Sequence, residues 1–154
     1  MIDSKEGKMK TAIAYYSQHH ENTKRLIDAI AETDSDITVI DVTKKHEVEL
    51  SAYDRIGFAS GIYYSKFAQP ILNFASVNLP REKEVFYIAT CGSPRKNYFD
   101  SIGNIAKEKA CKEIGRYLCK GFDTFGPFKI VGGIAKGHPT DEEVKEAVEF
   151  YKSL

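Results

Sequence analysis

The stretch Thr11-Ala-Ile-Ala-Tyr-Tyr-Ser17-Gln-His-His-Glu-Asn-Thr23 decides how the rest of the chain is read. An apolar run stops at Ser17, five polar residues follow, and helical spacing begins near Asn22. A buried strand that feeds a polar loop and then a helix start makes an anion site. The first helical N–H groups have no partner inside the helix, and the helix dipole places partial positive charge there. Hydroxyls at Ser17 and Thr23, with the Asn22 amide, can add donors. The same residues also make an ordinary helix cap, so the neighbouring segments must separate the two readings.

The strand Lys10–Tyr16 and a helix over Asn22–Glu32, with Leu26, Ile27 and Ile30 on one face, begin an alternation that runs through the chain. Further strands are expected at Ile37–Val42, Arg55–Ser60 and Glu84–Thr90, and helices at Gln69–Ser76 and Tyr98–Ala110. Glu113–Leu118 reads as a fifth strand, because Gly115 interrupts any continuation of the preceding helix. Residues 119–139, rich in glycine and proline, read as an extended, folded-back connection. In the last helix Thr140 and Glu143 have capping-box spacing, and Val144, Ala147, Val148, Tyr151 and Leu154 form one apolar stripe. Alternating strands and helices argue for an α/β fold with an open parallel sheet covered on both faces. Ligands of such sheets sit at the carboxyl ends of the strands, where strand order reverses. Three loops are selected, over residues 17–23, 60–66 and 90–98.

The second loop, Ser60-Gly-Ile-Tyr-Tyr-Ser-Lys66, carries two adjacent tyrosines suited to the face of a conjugated ring. The third, from Thr90-Cys-Gly-Ser93 to Tyr98, has a glycine where backbone can approach a ligand and another aromatic. A phosphate cradle and aromatic walls at one sheet edge point to a phosphorylated planar ligand. The segments YYSQHHENT, YDRIGFASGIYYSKF, VFYIATCGS and GGIAKGHPTDEEVKEAVEF, in this order, resemble the flavodoxin family from Lys10 to the C-terminus. The resemblance implies a flavodoxin-like three-layer sandwich, a five-stranded parallel sheet in order 2-1-3-4-5, and FMN held without a covalent bond.

By that resemblance Ser17, Gln18, His19, His20, Asn22 and Thr23 form the phosphate loop. Ser60, Gly61, Ile62 and Tyr63 lie along the isoalloxazine, with Tyr63 or Tyr64 stacking on it. Thr90, Cys91 and Gly92 reach its pyrimidine end through the backbone, and Tyr98 is a candidate for the opposite face. The usual phosphate loop S/T-x-T-G-N-T is one residue longer here and has His19-His20-Glu21 in place of Thr-Gly. Residues 1–9 are expected to be a disordered extension preceding a single domain over 10–154.

Composition narrows the function. The 154 residues suffice for one domain with a sizeable core, at 42% hydrophobic and 29% charged. No apolar run approaches the ~20 residues that span a bilayer, and MIDSKEGK is too polar for a secretory signal. Three cysteines without C-x-x-C spacing suit a reducing cytoplasm. Lys plus Arg and Asp plus Glu each total 22, so no basic excess suggests nucleic acid. Family members that carry electrons are strongly acidic, so this neutral chain departs from the usual basic partner and from a very low potential.

Other chemistries fit less well. Adjacent histidines such as His19-His20 rarely reach one metal ion, and no cysteine or carboxylate cluster joins them. No histidine or acid is set beside Cys91 by sequence to activate it as a nucleophile. A phosphoacceptor domain needs acids after the first and third strands, where Tyr16-Ser17 and Ser60-Gly61 stand, and no G-x-G-x-x-G marks a dinucleotide site. The expected function is electron transfer to a redox partner protein, as a monomer or homodimer. The alternative is an FMN-dependent oxidoreductase that oxidises NAD(P)H and reduces a quinone or small molecule.

Overall fold

The computed structural model describes residues 9–18, 21–122 and 133–154. Residues 1–8 of the expected N-terminal extension and the loop positions His19 and His20 lie outside the described residues. In chain order the elements are β1 (Thr11–Tyr16), α1 (Asn22–Ala31), β2 (Ile37–Asp41), β3 (Arg55–Tyr63), β4 (Lys66–Phe67), α2 (Gln69–Asn78) and β5 (Glu84–Cys91). A short 3-10 turn (Lys96–Phe99) then leads into α3 (Asp100–Glu108), β6 (Lys112–Lys120) and α4 (Asp141–Ser153). The main path of the sheet is β2-β1-β3-β5-β6, parallel at every pairing, with β4 attached to β3 alone. Without that two-residue strand the order is the expected 2-1-3-4-5. Strand order reverses between β1 and β3, whose shared register runs from Thr11↔Arg55 to Tyr16↔Ser60.

Alternation along the strands builds two cores. Ala12, Ala14, Ile56, Phe58, Val85 and Tyr87 face Ile71, Phe74 and Ala75 of α2 and Ile102 and Ala106 of α3. Ile13, Tyr15, Ala59, Phe86 and Ile88 face Leu26, Ile27 and Ile30 of α1 and Ala147 and Tyr151 of α4. A strand buried on both faces reads as a continuous apolar run, as β1 and β5 do. On the second face Gly57 leaves room for a ring, since a Cβ there would lie 2.4 Å from two carbons of Phe86.

Two departures from the sequence expectation shape the site edge. β3 continues past Ser60 to Tyr63 and returns through Tyr64 and Ser65, both at positive φ (51° and 65°), into β4. Two-residue hairpin turns with positive φ favour Asn-Gly, so Tyr64-Ser65 carries no such signal. Phe67 anchors the hairpin: it is fully buried, with ring centroids 5.7 Å from Phe99 and 6.4 Å from Tyr87. The second departure is that the helix expected from Tyr98 begins as the 3-10 turn and becomes α-helical at Asp100.

The expected fifth strand is present as β6 and is longer than Glu113–Leu118. Its pairing skips from Val85↔Glu113 to Phe86↔Gly115, a bulge that gives Ile114 no partner in the ladder. A Cβ on Gly115 would lie 2.8 Å from Leu154 and 3.0 Å from Phe150, so the glycine admits the end of α4. At the start of α4 Thr140 and Glu143 form the expected capping box.

Gly57→Ala forces a methyl into the Phe86 ring and is expected to lower stability by about 1–3 kcal/mol, the usual effect of overpacking a filled core. Urea unfolding at unchanged m-value measures it; a midpoint equal to that of the parent protein contradicts the packing described.

Candidate functional site

The carboxyl ends of β1, β3, β5 and β6 surround an open cleft. Ser17, Gln18, Asn22 and Thr23 line one end; Gly61, Ile62 and Tyr63 line one side; Thr90, Cys91, Gly121 and Phe122 complete it. Nine of the residues singled out by sequence therefore meet at one place.

At the polar end the loop turns through Glu21, which is left-handed at φ 52°. Ser17 Oγ accepts the Lys24 N–H at 3.1 Å, capping α1 from outside the helix and leaving its own proton to donate. The N–H groups of Asn22 and Thr23 have no acceptor within the helix, because each stands in its first turn. Thr23, 1% exposed, lies with its hydroxyl 3.0 Å from that of Thr90, itself 3% exposed. That bond joins the first turn of α1 to the end of β5 beneath the cleft.

The other end is aromatic. Tyr63 is half-buried and meets Tyr16 edge to face, with centroids 6.0 Å apart and planes at 78°. Phe122 is fixed through its backbone from two sides. Its carbonyl accepts from Asn22 Nδ2 at 2.8 Å, and its N–H donates to the His138 carbonyl at 2.8 Å. Gly121 N–H donates to the Cys91 carbonyl at 2.8 Å, closing β6 against β5. A Cβ on Gly121 would lie 2.7 Å from Asn22 Nδ2, so no other residue leaves Asn22 room to reach Phe122.

Glu143 supports this side from behind. Its carboxylate accepts from His138 Nδ1 at 2.5 Å, Thr140 N–H at 2.9 Å and Lys120 N–H at 3.3 Å. Burial pushes the Glu143 carboxyl up, but these hydrogen bonds outweigh it and hold the group below its ordinary value of 4.5. Nearby, burial first and then the charges of Glu143 and Cys91 push the Cys119 thiol up to about 12. That thiol is therefore protonated and inert at neutral pH.

The remaining candidates take other places. Ser60 is fully buried; its hydroxyl donates to the Gly61 carbonyl at 2.5 Å and accepts the Ala68 N–H at 2.9 Å, holding the hairpin to the start of α2. Tyr64 is 84% exposed at the hairpin tip, outside the cleft. Gly92 flanks the cleft without lining it. Tyr98 is buried and donates to the Ser93 carbonyl at 2.8 Å, so it fixes the 91–98 loop rather than facing the cleft. Sequence reading missed Gly121 and Phe122. The rule that pointed to the ends of β1, β3 and β5 applies equally to β6, whose end at Lys120 was hidden by reading residues 119–139 as one connection. Among the described residues no group of three or more His, Cys, Asp or Glu is arranged to hold a metal ion.

Amide and hydroxyl groups gather at one end of the cleft and aromatic side chains at the other. The molecule is thus a doubly wound parallel α/β protein with a ligand cleft at its switch point. A flavodoxin domain is matched over residues 12–122, and the chain belongs to the flavodoxin family. It is 37% identical over 149 residues to an uncharacterized protein of Methanocaldococcus jannaschii, covering 95% of this chain and 98% of that one. Among solved structures it is similar to a flavodoxin from the domain Archaea, with TM-score 0.63, 20% identity, and 94% and 98% of the two chains covered. Fusobacterium nucleatum flavodoxin bound to flavin mononucleotide superposes with TM-score 0.64 at 14% identity, over 94% and 96% of the chains.

Two outcomes follow from the site's internal bonds. Thr90→Val leaves the Thr23 hydroxyl buried without its partner and is expected to cost about 1–3 kcal/mol, while Thr90→Ser keeps most of the stability; chemical denaturation giving equal values for all three proteins contradicts the bond. A carboxyl held below its ordinary value binds a proton less readily in the folded than in the unfolded chain. The stability Glu143 contributes is therefore present above pH 4.5 and disappears as pH falls through its depressed native value. The stability gap between the parent protein and Glu143→Gln should be full at neutral pH and close in acid; a gap independent of pH contradicts this.

Proposed function

We propose that this chain binds FMN in the cleft and serves as an electron carrier. The observation that carries the reading is one cleft with a helix-start anion site at one end and aromatic surface at the other. The N–H groups of Asn22 and Thr23 and the Ser17 hydroxyl hold the phosphate, with Gln18, His19 and His20 completing the loop around it. Tyr63 and Phe122 take the ring between them, which gives Phe122 the role expected of Tyr98. Backbone of Gly61 and Ile62 runs along the ring, and backbone of Thr90, Cys91 and Gly92 meets its pyrimidine end. Ser60 and Tyr98 position these loops from beneath. The flavin supplies one- and two-electron chemistry when bound, and the protein's part is binding and tuning.

Among the described residues no helix is long and apolar enough to cross a membrane. We place the protein in the cytoplasm, where its three cysteines, none in a disulfide, stay reduced. The neutral net charge, with Arg95 and Lys96 in the 91–98 loop, weakens the repulsion that an acidic shell exerts on a reduced, anionic flavin.

Adding the protein to FMN should quench flavin fluorescence to a one-to-one endpoint, with riboflavin, which lacks the phosphate, bound at least about tenfold more weakly. Phe122→Ala should weaken FMN by about tenfold, the scale of one aromatic contact, and Tyr98→Phe should change it little. Folded protein that leaves FMN fluorescence unchanged contradicts the reading. Steady turnover of NAD(P)H with a quinone by the FMN-loaded protein would make it an oxidoreductase instead of a carrier.

A further inference from the structure

The connections on the ring side of the cleft carry a local excess of positive charge. Residues 60–67, 91–99 and 119–122 hold Lys66, Arg95, Lys96 and Lys120 and no aspartate or glutamate. All four cations are exposed, and none forms a salt bridge among the described residues. They share one rim. Lys66 opens β4 opposite Tyr63, Lys120 ends β6 opposite Cys91, and Lys96 begins the 3-10 turn whose Phe99 packs on Phe67. Tyr64 stands at the hairpin tip beside them, 84% exposed. Its left-handed backbone turn is held by the buried Phe67.

Tyrosine and arginine are enriched among the anchors of protein interfaces, and rim charges such as lysine steer a partner of opposite sign. A predominantly basic rim in a chain of zero net charge is local and complementary to a carboxylate-rich surface. We propose that this rim is a docking face for an acidic protein, with Tyr64 as its central contact and Lys66, Arg95 and Lys96 as its charged border. The inference deepens the carrier reading and rests on it for its purpose, since the face adjoins the ring end of the cleft. Four cations around a hairpin tip form no groove or stripe of the kind that follows a phosphate backbone, which favours a protein over a nucleic acid.

The test measures binding of the full chain to two small redox proteins by surface plasmon resonance, plant-type ferredoxin as the acidic probe and mitochondrial-type cytochrome c as the basic one. Raising salt from about 0.01 M to about 1 M cuts the screening length from about 30 Å to about 3 Å. The acidic probe should bind at low salt and lose at least about tenfold in affinity over this range, with the basic probe weaker throughout. The combined variant Lys66→Glu, Arg95→Glu, Lys96→Glu should abolish that binding. Lys44→Glu, Lys45→Glu, Lys152→Glu, which changes net charge equally at exposed sites elsewhere, should retain it. Tyr64→Ala should weaken binding without altering its salt dependence.

Preference for the basic probe, equal loss in both triple variants, or tighter binding of a single-stranded oligonucleotide than of ferredoxin overturns the proposal. Flavin affinity is measured on each protein alongside. Ferredoxin binding without flavin binding overturns the carrier reading and leaves the docking face standing; flavin binding without ferredoxin binding overturns the docking face alone.

Discussion

A parallel strand cannot turn directly into its neighbour; the chain must travel back along the sheet before it can pair again. In this protein α1, α2 and α3 make three of those returns, residues 42–54 make the return from β2 to β3 without a helix, and α4 follows the last strand; the four helices bury both faces of the five parallel strands. The carboxyl ends of the strands consequently lie along one edge with every outgoing loop, including residues far apart in sequence. Thr23 and Thr90, with hydroxyls 3.0 Å apart, are one such pair, and Asn22 and Phe122 are another. The cleft follows from the direction of the chain, and its chemistry from the side chains placed there.

Support for the cleft is layered. Ser17 caps α1, Ser60 ties the hairpin to α2, Tyr98 holds the 91–98 loop, and Glu143 gathers His138, Thr140 and Lys120 behind Phe122. Each uses a polar side chain to satisfy backbone or neighbouring groups that a loop at a sheet edge would otherwise leave unpaired. The lining that remains is amide and hydroxyl at one end and aromatic at the other, the polarity on which the proposed FMN orientation rests. The cationic rim lies outside this lining and can act on a partner without altering the cleft.

Much of this was legible in the sequence, for reasons tied to particular residues. The runs Thr11–Tyr16 and Glu84–Cys91 are apolar because both their faces are covered, and the Thr140–Glu143 spacing announces a cap that forms. What stayed hidden depends on contacts between distant segments. Tyr64-Ser65 turns tightly because Phe67 finds a pocket against Tyr87 and Phe99, not because its own residues prefer the turn. Phe122 enters the cleft because Asn22 and His138 hold its backbone, and Tyr98 leaves it because the Ser93 carbonyl claims its hydroxyl. An aromatic residue in a loop announces burial somewhere; which surface it covers is decided by partners elsewhere in the chain.

The central claim is that the start of α1 grips a phosphate. Phosphorus NMR of FMN mixed with the protein reads that grip directly across the range in which a free phosphate monoester takes its second proton, near pH 6. The account predicts a shifted resonance that stays fixed through this range, since amide and hydroxyl donors hold the doubly charged form. A resonance that coincides with that of free FMN and titrates as it does, in the presence of excess folded protein, would contradict it.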